Sequence, residues 1–440
     1  MTSYSLQITR VAYKSVSQLR QINQFYDLKK SQWLTHPMLQ RVQEKKLRSI
    51  IKYAYDHVAY YHQLLKSLNL NPNDIQKVDD LCKIPILTKS EIQNNFEKIT
   101  ANNLDRNRCF SNKTSGTTGM PLTILYDDNA HTSIGSRHLR SYFECGLKFS
   151  DRIDHFSDPH HFHRNISWFN HLGILRKRNL SVFDRIDDHI TKLIEHPPDA
   201  IEGYPSILFL IARKVQDRKI KEINPRLIFS TAELLIEGIR KKINSVFGTE
   251  LFDRYGSVEF GTFAWECQRH NGYHLDIEDV VVEFLKNGET VSPGEKGEIV
   301  VTSLFNYAMP LIRYSLGDIG TLSNEQCSCG RGLPLMKIID GRSDDFLVLP
   351  SGKRISPRNI GTLEYIDGIA RWKIIQEKKD KIIVQIVKGE NFSQETVEQV
   401  KEKVLRGCLG ENVEIVIKLV EKIPEDRSGK IRMILSKVKA

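Results

Sequence analysis

The chain has 440 residues, of which 40% are hydrophobic and 27% are charged, a balance that is typical of globular proteins and argues against intrinsic disorder. Because one hydrophobic core does not serve a chain of this length, we expect a large domain and a smaller one. The formal net charge of +10 comes from lysines and arginines spread along the chain, so we expect no nucleic-acid partner. An anionic ligand or cofactor suits this charge equally well.

Signals for export or for a membrane are absent from the sequence. Residues 1–7 do not form the basic and apolar segments of a secretory signal, and no run of about 18 apolar residues occurs. We therefore expect a cytoplasmic protein without membrane insertion. The seven cysteines are an odd number in a long chain and do not suggest a disulfide framework. Nothing in the sequence indicates an oligomeric state.

Helical patterns dominate the first part of the chain. Apolar residues recur at helical spacing from Leu39 to about Leu68, with charged residues between them. A second, short helix is predicted after Thr88, which stands as an N-cap with Glu91 three residues later.

The segment that follows is rich in glycine and hydroxyl groups. Its two glycines allow main-chain conformations that side chains forbid, and its hydroxyl and N–H groups suit a polyanion. The common phosphate loop has a lysine after its second glycine, where this chain has Met120, and a simple turn between two strands is the alternative interpretation. The candidate phosphate loop consists of Thr114, Ser115, Gly116, Thr117, Thr118 and Gly119.

Histidines are crowded into the segment after residue 154, at His155, His160, His161, His163 and His171. Because their spacing does not match a metal-ligand pattern, we favour a loop over a substrate pocket, with a metal site as the alternative.

Helices and strands alternate in the middle of the chain. Ile207–Val215 and Ile236–Phe247 have helical periodicity, and Leu227–Ser230 is typical of a buried strand. Further strands are predicted at Val280–Phe284 and Gly297–Thr302. Alternation of this kind indicates a layered α/β core.

The C-terminal part of the chain predicts a compact unit of its own. A strand pair at Lys373–Val387 is followed by an amphipathic helix at Ser393–Arg406 and a strand at Val413–Leu419. We therefore predict two domains, residues 1–341 and residues 342–440.

Four motifs after the phosphate loop carry a family resemblance. In chain order they are Asp253-Arg254-Tyr255-Gly256-Ser257-Val258-Glu259-Phe260-Gly261, Tyr314-Ser315-Leu316-Gly317-Asp318, Asp340-Gly341-Arg342-Ser343-Asp344-Asp345 and Ser428-Gly429-Lys430. Together they resemble the adenylate-forming superfamily of acyl- and aryl-CoA ligases, luciferases and peptide-synthetase adenylation domains. The phenylacetate-CoA ligase branch, with its capsular-polysaccharide-associated relatives, is the most similar. The resemblance covers about residues 40 to 440, and Tyr55–Tyr61 resembles an opening helix of that branch.

This resemblance implies a fold and an activity. The implied fold is α/β, with a large layered N-terminal adenylation domain that binds ATP and acid, and a small mobile α+β C-terminal domain that carries a catalytic lysine. Such enzymes use ATP and Mg²⁺ to convert a carboxylic acid into an acyl-adenylate and pyrophosphate, and then transfer the acyl group. CoA is the expected acceptor. An amine on a sugar or amino acid, a carrier-protein thiol, and adenylyl transfer to a cofactor stay open, for example in surface-polysaccharide or secondary-metabolite biosynthesis.

The same resemblance assigns roles to residues. Residues 114–119 would surround the β- and γ-phosphates, and Glu259 would hold Mg²⁺ as a hard oxygen ligand. Asp318 would accept both ribose hydroxyls, and Arg342 would reach the ribose and phosphates. Lys430 would bridge the substrate carboxylate and the α-phosphate.

Further positions match the family less specifically. Ala232, Glu233, Tyr255 and Gly256 match residues that flank adenine, with the Tyr255 ring stacked on the base. Asp344 matches the hinge about which the C-terminal domain turns. Each of these residues has an ordinary alternative as a surface charge, a turn residue or a core aromatic.

Two positions depart from the family pattern. Met120 replaces the lysine that usually follows the loop glycine, and Val258 stands where many relatives have a small hydroxyl residue. Neither departure removes a required group. The acid itself is not indicated: Tyr204, Pro205 and Phe260 are candidates for its pocket, and aryl, short aliphatic and amino acids all fit. A non-catalytic binding protein with this fold is the alternative to an enzyme.

A second site is suggested by four residues that supply thiolate and imidazole groups. Cys267, His274, Cys327 and Cys329 form a set that suits structural zinc, and the resemblance implies such a site in some relatives. The alternative is a group of reduced cysteines in a turn.

Overall fold

The computed structural model of the protein describes residues 3–114, 121–159, 162, 173–342, 346–356, 363, 366–424 and 432–438, and for residues 3–16 and 338 it describes the main chain alone. None of the helices within those ranges has the length together with the hydropathy of a membrane-spanning helix.

The secondary structure is a mixture of helices and strands, as the sequence predicts. The helices are α1 (Ser3–Ser31), α2 (His36–His57), α3 (Ala59–Ser67), α4 (Lys89–Asn94), α5 (Phe96–Ile99), α6 (Asp128–Phe143), α7 (Ile186–Glu195), α8 (Pro205–Asp217), α9 (Glu237–Phe247) and α10 (Gln394–Gly407), with 3₁₀ turns at Pro72–Asp74, Val78–Lys83 and Arg106–Arg108. The strands are β1 (Phe110–Lys113), β2 (Thr123–Tyr126), β3 (Arg152–Ser157), β4 (Arg176–Ser181), β5 (Ala200–Gly203), β6 (Leu227–Ser230), β7 (Leu251–Ser257), β8 (Gly261–Glu266), β9 (Tyr273–Leu275), β10 (Val280–Lys286), β11 (Glu289–Thr290), β12 (Lys296–Ser303), β13 (Tyr314–Leu322), β14 (Leu335–Arg342), β15 (Leu347–Val348), β16 (Arg354–Ile355), β17 (Ile369–Lys378), β18 (Lys381–Lys388), β19 (Glu414–Leu419) and β20 (Ile434–Ser436).

Contacts divide the chain into two compact units that are built from separated segments. Unit 1 consists of Met1–Leu147, Arg254–Leu316 and Gly320–Ile338, and unit 2 of Lys148–Asp253, Gly317–Ile319 and Ile339–Ala440. Unit 2 contains residues from both sides of position 341, so the domain boundary that the sequence suggests there stays a prediction.

Unit 1 contains a largely antiparallel sheet that is covered by helices. Its strands follow the order β11-β10-β12-β13-β14-β9-β8, and β8 pairs with residues 254–257 of β7. Helix α6 packs on this sheet with an unusually polar buried face, since Ser133, Ser136, Arg137 and Arg140 are all fully buried. Asp127 caps the helix by accepting a hydrogen bond from the main-chain N–H of Ala130 at 2.7 Å.

Unit 2 contains a parallel sheet and a smaller C-terminal sheet. Strands β4, β3, β5 and β6 are parallel neighbours in that order, and β6 pairs with residues 251–253 of β7. The C-terminal sheet has the order β19-β18-β17-β20 and carries α10. Arg213 of α8 donates hydrogen bonds to the carbonyls of Ile369 and Ala370, at 2.8 and 2.7 Å, and so ties the start of β17 to that helix.

Most of the predicted elements are confirmed. Strand β6 has the predicted bounds, and α8, α9, α10 and the β17–β18 pair lie within a few residues of theirs. The capping box at Thr88 forms, since its hydroxyl accepts from the Glu91 N–H and the Glu91 carboxylate accepts from the Thr88 N–H.

The long helix predicted from Leu39 to Leu68 differs from the structure. It is divided into α2 and α3 at Val58, whose main chain is extended, with φ −120° and ψ 108°. Its apolar face nevertheless continues across the break, which is why periodicity alone does not reveal the division.

Candidate functional site

The candidate phosphate loop is closed at its base by Thr114. Strands β1 and β2 pair in antiparallel register from Phe110 with Tyr126 to Lys113 with Thr123. The main-chain N–H of Thr114 donates to the Leu122 carbonyl, and its hydroxyl accepts from the Leu122 N–H, each at 2.9 Å. The predicted loop residues Ser115, Gly116, Thr117, Thr118 and Gly119 lie outside the described residues.

Glu259 lies at the tip of the tight hairpin between β7 and β8. Ser257 pairs with Gly261, so Val258, Glu259 and Phe260 form the tip. The two glycines are required by close approach and by conformation. A Cβ atom on Gly256 would lie 2.2 Å from the Gly261 carbonyl oxygen, and Gly261 has a φ of +66°, which disfavours other residues.

The Glu259 carboxylate is buried and held by a tyrosine. Only 7% of the residue is exposed, and the Tyr314 hydroxyl donates to its Oε1 at 3.1 Å. The Tyr126 hydroxyl donates to the main-chain carbonyl of Val258. Burial, together with the neighbouring Glu259 carboxylate, raises the pKa of Tyr126 well above its usual value. Thus Val258 contributes its carbonyl, and the family's small hydroxyl side chain is not needed for this contact.

Arg137 of α6 holds the other side of the hairpin. Its guanidinium donates to the carbonyls of Phe260 and Thr262, at 2.7 and 3.1 Å. The sequence indicates neither Arg137 nor the roles of Tyr126 and Tyr314, because contacts across more than 50 residues leave no local pattern.

Tyr255 lies on the same hairpin as Glu259. It is half-buried, and its ring packs edge-on against Phe263 with a centroid distance of 5.2 Å. Thr114, Tyr255, Gly256 and Glu259 therefore all belong to unit 1.

Asp318 and Arg342, the predicted ribose ligands, are close to each other in unit 2. The Nε atom of Arg342 lies 3.9 Å from Oδ1 of Asp318, and both side chains are partly exposed. Gly317, which precedes Asp318 within β13, has a φ of +72°, a conformation that favours glycine. The structure thus brings together a carboxylate and a guanidinium that suit a ribose phosphate.

Ala232 and Glu233, the predicted adenine neighbours, form a strained turn in unit 2. Ala232 has a φ of +68°, which is unusual for a residue other than glycine. The Glu233 carboxylate accepts from the N–H and the hydroxyl of Ser206 at 3.0 Å each, in the first turn of α8. This interaction holds the turn against the helix; the adenine contact stays a prediction.

Other predicted residues are not described by the structure. Lys430, Asp344 and four of the clustered histidines lie outside the described residues. Of the acyl-pocket candidates, Phe260 is fully buried, and the buried Tyr204 hydroxyl accepts from the Asp158 N–H at 3.3 Å.

The predicted thiol and imidazole cluster forms in unit 1. The ligand atoms of Cys267, His274, Cys327 and Cys329 all lie within 4.8 Å of one another. Strand pairing explains this convergence, because β9, which carries His274, lies between β8 and β14. The Sγ atoms of Cys267 and Cys327 are 3.7 Å apart, and His274 Nε2 is 3.4 Å from Cys329 Sγ. Ligands on the edges of a tetrahedral zinc site are separated by about 3.5–3.8 Å.

The protonation of this cluster reflects burial and one arginine. Burial raises the pKa of Cys267 to about 12 and lowers that of His274 to about 4. For Cys329 burial acts in the same upward direction, but hydrogen bonds from the main chain and side chain of Arg331 outweigh it and lower the pKa. Burial thus favours the neutral imidazole that a metal ligand requires, and of the three thiols Cys329 has a lowered pKa, whereas burial raises the pKa of Cys327 as it does that of Cys267.

Comparisons with known proteins agree on one group. The CapK C-terminal domain family matches residues 347–437. Phenylacetate-coenzyme A ligase of Thermus thermophilus is 24% identical over 438 residues, which span 91% of this chain and 97% of that protein. Protein CapK of Staphylococcus aureus is 23% identical over 452 residues, 98% of this chain and 93% of that protein. Among solved structures, 2-hydroxyisobutyryl-CoA ligase in complex with R3-HIB-AMP has a similar fold, with a TM-score of 0.78 and 18% sequence identity. The match covers 93% of this chain and 92% of that chain.

The close approach at Gly256 predicts a large effect of a single methyl group. Gly256→Ala places a Cβ atom against the Gly261 carbonyl, so we expect the free energy of unfolding to fall by about 1–3 kcal/mol. Chemical denaturation monitored by circular dichroism measures this change. Ser257→Ala, which adds no atoms at the next position, is the control. Equal stability of the two variants would contradict the hairpin geometry.

Proposed function

We propose that this chain activates a small carboxylic acid with ATP and transfers the acyl group to CoA. The chain belongs to the phenylacetate-CoA ligase and CapK family of adenylate-forming ligases. The observation that carries the proposal is the buried Glu259 carboxylate. It lies at the tip of a glycine-bounded hairpin in the same unit as the base of the candidate phosphate loop.

The proposed reaction has two steps. In the first, a carboxylate oxygen attacks the α-phosphorus of ATP, the bond from that phosphorus to the bridging oxygen breaks, and pyrophosphate leaves. In the second, the CoA thiolate attacks the acyl carbon, the bond to AMP breaks, and the thiol proton passes to solvent. Negative charge must be stabilised in the first step, and preorganised donors do this at low cost.

The residues of this chain divide that work. Donors of residues 114–119 would surround the β- and γ-phosphates, and the Asp318–Arg342 pair would bind the ribose. Glu259 suits Mg²⁺ because it offers a hard carboxylate oxygen on a fixed hairpin; when bound, the cation would neutralise phosphate charge. Lys430 would contact the substrate carboxylate and the α-phosphate.

Other acceptors remain alternatives to CoA. The similar proteins include CoA ligases and also CapK, whose name does not specify CoA. An amine or a carrier-protein thiol is therefore the second candidate acceptor, and adenylyl transfer to a cofactor is the third candidate reaction. Each predicts that formation of the final product does not depend on CoA, whereas pyrophosphate release in the first step is common to all three. A non-catalytic binding protein predicts no release.

The role of Lys430 generates the main functional prediction. A cation about 4 Å from developing charge contributes on the order of 4 kcal/mol at an effective dielectric constant near 20, so we expect Lys430→Ala to slow adenylation by roughly a thousandfold. Acid-dependent pyrophosphate release from Mg-ATP, across aryl, aliphatic and amino acids with and without CoA, measures this effect. Lys422→Ala removes an exposed lysine that precedes Lys430 in the sequence and should leave the rate unchanged.

Either of two results would contradict this assignment. A Lys430→Ala rate close to that of the wild type would remove the lysine from the reaction. The absence of pyrophosphate release with every acid would favour the binding protein.

We also propose that Cys267, His274, Cys327 and Cys329 bind a structural zinc ion. The separations of their ligand atoms support this proposal. Cys327 and Cys329 lie in the loop between β13 and β14, and this loop also contacts the residue that follows α1. Arg331 donates from Nε to the Gln32 side chain at 3.0 Å, and the Gly332 N–H donates to the Gln32 carbonyl at 2.9 Å. The ion would therefore brace the loop that holds the C-terminal end of α1.

Zinc content tests this second site. We expect elemental analysis to find about one zinc per chain. The Cys327→Ser variant should lose this zinc, and its melting temperature should fall by on the order of 5 °C or more. Loss of zinc should also speed proteolysis of residues 31–36, which include Gln32. The exposed Cys82 provides the control as Cys82→Ser. Full thermal stability after zinc removal would contradict a structural role.

A further inference from the structure

We propose that Tyr126, Arg137 and Tyr314 are positioning residues that fix the Glu259 hairpin and aim the second oxygen of its carboxylate at the metal ion of a bound nucleotide. This inference rests on the proposed function and adds to it the side chains that orient its metal ligand.

Each residue of the hairpin tip has its own hydrogen-bond donor. Tyr126 donates to the Val258 carbonyl, Tyr314 donates to the Glu259 carboxylate, and Arg137 donates to the Phe260 carbonyl. The donors come from three different elements, β2, β13 and α6. Because three successive residues are held from three sides, the tip has little freedom to move.

The three contacts differ in what they orient. Those of Tyr126 and Arg137 hold main-chain carbonyls, so they fix the position of the tip. Of these three residues, Tyr314 is the one that contacts the carboxylate, and among the described residues its hydrogen bond is to Oε1 of Glu259 and not to Oε2. A donor on one carboxylate oxygen fixes the rotation of the group and directs the other oxygen to a ligand.

Arg137 is itself held rigidly. It is fully buried, with its Nε atom 3.4 Å from Oδ2 of Asp279 and its guanidinium carbon 4.4 Å from the centre of the Phe305 ring. Asp279 also accepts from Ser133 and Lys46, at 2.5 and 2.6 Å. A guanidinium fixed in this way positions its acceptors well, because little side-chain entropy remains to be lost.

Tyr126 links the hairpin to the candidate phosphate loop. It is the last residue of β2, and Leu122, just before that strand, forms the paired hydrogen bonds with Thr114 that close the loop. The hydrogen bond from Tyr126 to Val258 therefore connects the base of the predicted phosphate site to the predicted metal ligand. Catalysis of phosphoryl chemistry depends on such a fixed spacing between phosphate donors and metal.

Metal affinity in the presence of nucleotide tests the proposal without requiring turnover. The probe is Mn²⁺, titrated into the full chain with a non-hydrolysable ATP analogue and followed by electron paramagnetic resonance. Loss of a group that orients a metal ligand typically costs 10–100-fold in metal affinity, so we expect Tyr314→Phe to weaken Mn²⁺ binding by about that factor. Tyr126→Phe should weaken it less, because its contact is with the main chain.

Two controls separate positioning from general packing. Tyr61→Phe removes another buried tyrosine hydroxyl, one that donates to the Pro310 carbonyl at 2.9 Å, and should leave Mn²⁺ affinity unchanged. In a Glu259→Gln background, Tyr314→Phe should cause no further loss, because its effect passes through the carboxylate. Thermal unfolding of each variant confirms that it is folded.

The outcomes are distinct from those of the functional proposal. Mn²⁺ affinity of Tyr314→Phe equal to that of Tyr61→Phe would overturn the inference, and so would a full additional loss in the Glu259→Gln background. Failure of the wild-type chain to bind Mn²⁺ with the nucleotide analogue would overturn it as well. Tight, Tyr314-dependent binding without pyrophosphate release from any acid would support the inference and contradict the proposed reaction.

Discussion

Two buried arginines on one helix fix the part of unit 1 on which the proposed chemistry depends. Arg137 and Arg140 of α6 are both fully buried, and a charge in such a position is stable only with close partners. Arg140 pairs with Asp276 and Glu278 at 2.7 Å each, in the segment between β9 and β10. Arg137 pairs with Asp279 and holds the Glu259 hairpin. The need to satisfy these charges determines how α6, the sheet and the hairpin lie against one another.

The proposed site follows from this arrangement. The cap of α6, Asp127, directly follows Tyr126, so the start of the helix, the end of β2 and the tip of the hairpin are joined within a few residues. A carboxylate held in this way loses little freedom when a cation binds. Preorganisation of this kind lowers the cost of stabilising charge in the transition state, and buried hydrogen bonds of this kind surround the hairpin that carries the proposed metal ligand.

Sequence patterns predicted the helices and strands whose buried residues are apolar and recur with the period of the element. Leu227–Ser230 and Glu237–Phe247 are examples, since most of their buried positions are aliphatic or aromatic. Helix α6 was not predicted, because most of its buried residues are Ser, Thr and Arg, which hydrophobic periodicity does not detect. Helix α1 was not predicted either, and its side chains before residue 17 are not described.

In the candidate site, too, local patterns were predictable from the sequence and long-range contacts were not. Glycine spacing indicated the hairpin around Glu259, and the CxC pair indicated the thiol cluster, since both patterns are local. The residues that hold them come from distant positions: Tyr126 lies 132 residues from Val258, and Cys267 lies 60 residues from Cys327. Such contacts depend on strand order, which no single motif specifies.

The position of the bound cation shows whether Glu259 is a metal ligand of the nucleotide site. Crystals of the full chain grown with Mn²⁺ and a non-hydrolysable ATP analogue would locate the cation by its anomalous scattering. We expect a peak about 2.0–2.3 Å from Oε2 of Glu259, with Oε1 still hydrogen-bonded to Tyr314. A cation bound to the phosphates but away from Glu259, or a Tyr314 hydroxyl turned to another partner, would contradict it.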